Sequence, residues 1–139
     1  MRPRAVRFAY FFASLCLVFD IPPLHAQSLG PPGTNWGGEH IRLEVTENGA
    51  TVEFDCASGS ISKRLVTSAN GNFKVQGTFT RERPGPVMRD NPNVTSAAMY
   101  SGTITGDTLH LHIDTGTEHD SLGDYVLVRS QPGRVVKCR

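Results

Sequence analysis

Two histidines, His110 and His112, are the residues best placed by type and spacing to hold a metal ion. On an extended strand, side chains two apart share a face, so both imidazoles could reach one ion. His40 or His119 would have to complete such a set. The same two residues also suit the outer face of an amphipathic strand, since Leu109, Leu111 and Ile113 alternate with them. A solvent-facing pair without tight metal binding is therefore the expectation. No cysteine cluster or His-x-x-x-His helix pattern adds to the metal reading.

The acidic residues give no stronger lead. Asp114, Glu118, Asp120 and Asp124 surround His119, but their order lacks the regular oxygen spacing of a calcium loop. Glu53 and Asp55 fall on one face of an extended segment. Paired carboxylates do acid–base work only when held in a cleft. Ser58-Gly59-Ser60 and Ser101-Gly102 lack the Gly-x-Ser-x-Gly frame of a nucleophile elbow. There is no phosphate-cradling glycine loop between a strand and a helix. No catalytic residue and no cofactor is expected. Asn93-Val94-Thr95 fits a glycosylation acceptor, a short pattern common by chance. Arg81, Arg83 and Arg89, set against Glu82, make the one locally basic stretch, in a long Pro-stiffened segment. Long loops on rigid β scaffolds are where binding residues concentrate.

The elements that must position these residues follow a period of two. Ile41, Leu43 and Val45 alternate with polar residues, Asn48-Gly49 supplies a tight turn, and Val52, Phe54 and Cys56 resume the alternation. A third strand is expected over Ile61–Thr67 and a fourth over Phe73–Thr80, with Gly77 marking a bulge or a close approach. Arg81–Ser96 reads as a surface loop. Strands follow at Ala97–Thr105, Thr108–Asp114 and Leu122–Arg129, with a polar loop at Gly116–Ser121 and a last short strand at Val135–Cys138. The expected fold is all-β: a small antiparallel up-and-down barrel or curled meander of about eight strands, with a sandwich as the alternative.

The first 26 residues have another character. Arg2, Arg4 and Arg7 precede an uncharged run from Phe8 to Phe19, and Leu24-His25-Ala26 ends on a small residue. This is the layout of a secretory signal peptide over residues 1–26, and its apolar run is too short to span a bilayer. A Pro/Gly-rich arm over 27–35 and one β domain over 36–139 follow. Without Arg2, Arg4, Arg7 and Asp20 the net charge passes from +1 to −1. A nearly neutral domain without a basic cluster is a poor nucleic-acid binder. No later segment is apolar for long enough to cross a membrane as a helix. The expected location is secreted or periplasmic. There Cys56 and Cys138, left as a pair once Cys16 goes with the leader, are expected to form a disulfide.

Trp36-Gly37-Gly38-Glu39-His40-Ile41, Phe54-Asp55-Cys56-Ala57 and Gly77-Thr78-Phe79 together resemble a group of small uncharacterised secreted bacterial β-proteins. That resemblance covers most of the mature chain and implies no activity. The chain also resembles calycins such as lipocalins, whose barrels carry a Trp before the first strand and an Arg near the last, packed across the closed end. Trp36 and Arg129 or Arg134 match that pair, although the Gly-x-Trp form is absent. The expected function is an exported binding or interaction module for a small molecule or another protein, using the barrel interior or the loops around Arg81–Asn93 and Gly116–Ser121. The alternatives are a small metal-dependent or hydrolytic secreted enzyme and a structural envelope component.

Overall fold

The computed structural model describes residues 28–86, 89–90, 92–116 and 121–138. Cys16 and the whole of the expected signal peptide, and Glu118, His119 and Asp120, lie outside the described residues. Eight antiparallel strands close into an up-and-down barrel: β1 (Asn35–Gly38), β2 (Ile41–Val45), β3 (Ala50–Phe54), β4 (Ala57–Ile61), β5 (Asn72–Arg81), β6 (Val94–Thr105), β7 (Thr108–Asp114) and β8 (Ser121–Arg129). Each strand pairs with the next, and β1 closes on β8 through Trp36–Arg129, Gly37–Val128 and Gly38–Leu127. Closure leaves no long sheet edge unpaired.

Alternation decides which residues enter the interior. In β2 and β3, Ile41, Leu43, Val45, Val52 and Phe54 are buried, while Arg42, Glu44 and Thr51 face solvent. In β7, Leu109, Leu111 and Ile113 are buried and the histidines point outward. Large side chains fill the middle. Tyr100 is fully buried and its hydroxyl donates to the Thr78 carbonyl oxygen at 2.7 Å. Its ring fits because two facing strands carry glycine. A Cβ at Gly59 would stand 2.1 Å from the Tyr100 hydroxyl oxygen, and one at Gly77 would stand 2.4 Å from the Ser60 carbonyl oxygen. The Gly77 position is thus a close approach of strand to strand.

Three expected elements are placed differently. The third strand runs over Ala57–Ile61 rather than Ile61–Thr67. Ser58-Gly59-Ser60 has the composition of a turn, yet it is extended because Gly59 makes room for Tyr100. Cys56 does not continue β3; it stands in the two-residue β3–β4 connection at φ 55° and is half-buried, not interior. Val135–Cys138 is not a strand either. After β8, residues 131–134 cross onto the outer side of β1, where Arg134 forms a parallel bridge with Glu39. The backbone of this tail touches Gly37, where a Cβ would lie 2.1 Å from the Gly133 nitrogen. The eighth strand is instead β1, whose Trp36-Gly37-Gly38 core lacks apolar alternation and gives a periodicity argument nothing to find.

Cys56 and Cys138 are joined, with Cα atoms 4.9 Å apart and a separation of 82 positions in sequence. The bond pins the end of the tail to the rim of the barrel.

Candidate functional site

The two ends of the barrel differ. At one end, Trp36 is fully buried and its Nε1 donates to the Leu29 carbonyl oxygen at 2.8 Å. Leu29, itself buried, caps this end from the N-terminal arm. The Arg129 guanidinium lies 4.4 Å from the centroid of the Trp36 ring, a cation–π arrangement, and its Nε donates to Asp107 at 3.1 Å. Of the two candidate arginines, Arg129 is thus the one at the tryptophan, while Arg134 reaches Glu39 at 3.4 Å in the tail. This end is sealed.

The other end opens into a cavity of about 400 Å³. Its apolar wall comes from Phe79, Val94 and Leu122, and its polar rim from Arg81, Arg83, Ser96 and Thr115. Phe79, Arg81, Val94 and Ser96 continue the inward faces of β5 and β6 to the ends of those strands. The Phe54 ring meets Phe79 edge-on at 5.5 Å and Tyr125 at 5.7 Å, so further aromatic rings back the Phe79 side of the cavity. Tyr125 donates to the Leu122 carbonyl oxygen at 3.1 Å, and burial pushes its phenol upward, with the nearby Asp55 charge adding to the shift.

Leu122 reaches the cavity through a bulge. Ile113 pairs with Gly123 and Asp114 with Ser121, so Leu122 is the extra residue. Gly123 takes φ 99°, a conformation that suits glycine. Strict alternation from Tyr125 and Leu127 would send Leu122 outward, which is why sequence reasoning missed it. The Leu122-Gly123 step was the available signal. The loop expected over Arg81–Ser96 is shorter, since Arg81 ends β5 and Val94–Ser96 begin β6; Arg81 and Arg83 stand at the rim, and both already interact within the chain.

The carboxylates expected on one face are divided between partners. Glu53 accepts from Arg42 at 2.7 Å. Asp55 lies in the β3–β4 connection, 2.5 Å from His40 Nδ1, and accepts from the Val136 backbone N–H at 2.6 Å. His40 is therefore tied to Asp55 and does not join His110 and His112. Asp114 accepts from the Gly116 backbone N–H at 2.8 Å. Asp124 meets His112 instead, its Oδ1 2.8 Å from Nδ1. Among the described residues, no three His, Cys, Asp or Glu side chains are grouped to hold an ion. Compared with family models, curated proteins and solved structures, the chain matches none.

Proposed function

We propose that this protein is an exported, non-enzymatic binding module that takes a small, partly apolar molecule into the open mouth of its barrel. The observation that carries the reading is the asymmetry of the two ends. One is sealed by Trp36, Leu29 and Arg129, and the other presents about 400 Å³ of space lined by Phe79, Val94 and Leu122. That volume falls within the range of small-molecule sites, which combine apolar walls with a few polar groups. Arg81, Arg83 and Ser96 supply the polar groups at its rim. The Trp36–Arg129 stack supports the calycin-like reading of the fold. The N-terminal apolar run and the Cys56–Cys138 pair support export to an oxidising compartment.

The test uses 8-anilinonaphthalene-1-sulfonate, an aromatic sulfonate, as the probe. It should bind the purified protein saturably. Ser96→Trp, which fills the mouth from the β6 wall, should weaken it by at least about tenfold, equivalent to ~1.4 kcal/mol, with the melting temperature held. Equal affinity in the variant and the wild type would place the probe elsewhere and defeat the reading.

A further inference from the structure

The outer wall carries a second candidate site, independent of the mouth. We propose that His110 and His112, with Asp124 as the positioning residue, form an exchangeable chelating site for a divalent transition-metal ion of the zinc, copper and nickel class.

The placement follows from register. His110 and His112 project from the outer face of β7, two residues and about 6.6 Å apart along the strand. Imidazole side chains at that spacing can converge on one ion at about 2.0–2.1 Å per nitrogen. Asp124 on β8 stands directly across from His112, its Oδ1 2.8 Å from Nδ1. A carboxylate can only accept, so Nδ1 is the donor. In the neutral ring Nε2 then carries the lone pair that binds metal. A carboxylate on the far nitrogen is the arrangement that orients metal-binding histidines and raises their basicity. Periodicity could not show this contact, because it depends on the pairing of β7 with β8.

The surroundings fit a weakly held ion. His110, His112 and Asp124 line one shallow depression together with Ser101 and Thr103 of β6. Those two residues pair with His112 and His110 respectively, so their hydroxyls can hold water molecules that complete the coordination. The cation in the same cross-strand row, Lys74, pairs with Ser101 and is two strands from His112, about 10 Å away. With two protein ligands the site is an exchangeable one, distinct from the closed four-ligand sites of structural zinc. Imidazole nitrogen favours copper, nickel and zinc over magnesium and calcium.

Titration calorimetry with zinc and nickel salts alone, on purified protein free of any histidine tag, tests the site. The expected result is one saturable ion per chain in the micromolar range. His110→Ala and His112→Ala should each weaken it by at least about tenfold, and Asp124→Asn by about tenfold. His40→Ala should leave it unchanged. All of these positions are on the surface, and far-ultraviolet circular dichroism checks that each variant is folded. Absence of saturable binding at millimolar metal overturns the proposal, as does binding that survives both histidine changes or is lost in His40→Ala. Wild-type affinity in Asp124→Asn removes Asp124 from the site.

Discussion

Asp55 ties three parts of the chain together. One oxygen accepts from the Val136 backbone N–H in the tail, and the other meets His40, which holds a left-handed backbone at φ 64° in the β1–β2 connection. The Val136 N–H, and after it His40, holds the Asp55 carboxyl below its ordinary value of 3.8. A group held lower in the fold than in the unfolded chain stabilises the fold above the unfolded value. That contribution is lost as pH falls through the folded value. Urea unfolding of Asp55→Asn across pH 2.5–6 should thus give a flatter stability curve below about pH 4 than the wild type gives. Superimposable curves would show that Asp55 does not contribute. The sequence put Asp55 beside Glu53 as a possible carboxylate pair, because strand parity is visible in a sequence. Its real partners are 15 and 81 residues away, and no local pattern encodes them.

At the scale of the strands, alternation made β2, β3, β7 and most of β5, β6 and β8 readable. All but β8 have an apolar face at steps of two over five residues or more, and β8 shows only Tyr125 and Leu127. It failed for β1 and β4, which are built from Trp36-Gly37-Gly38 and Ala57-Ser58-Gly59-Ser60. These glycines serve contacts made from outside their own strands: the tail against Gly37, and Tyr100 against Gly59. The bulge that brings Leu122 to the mouth escaped for the same reason, since it concerns two strands and not one. The Gly59–Tyr100 contact can be tested as a pair. Gly59→Ala should destabilise the wild type by more than about 2 kcal/mol, in the range of overpacked cores. The same change should cost less in a Tyr100→Phe background, where the hydroxyl oxygen 2.1 Å from the new Cβ is gone. Equal costs in the two backgrounds, measured by a double-mutant cycle, would show the two residues to be uncoupled.

For the molecule as a whole, the large apolar side chains of the strands mostly point in, Val126 and Val128 of β8 excepted, and Arg42, Glu44, Lys74 and Asp124 point out, the reverse of a membrane-spanning barrel. Its interior is small, and the Cys56–Cys138 bond supplements it. In the chain-entropy model, closing a loop of this size stabilises the fold by roughly 4–5 kcal/mol, an upper guide. Total stabilities are typically about 5–15 kcal/mol. Cys138→Ser should therefore lower the melting temperature markedly with no ligand present, and the unfolded, unreduced wild type should show neither cysteine as a free thiol; two free thiols per chain would defeat this. The pairing was legible because only Cys56 and Cys138 lie outside the apolar N-terminal run that holds Cys16, whereas the turn that holds Cys56 was not. The bond also gives the barrel a mechanical polarity. Under tension applied between Ser28 and Cys138, force passes through the disulfide at Cys56. β1, β2 and β3 would peel away, starting at the three-pair seam with β8. Extension would stop near about 100 Å, against about 390 Å for the reduced chain. The five strands from β4 to β8, with most of the mouth, would lie in a loop that carries no load.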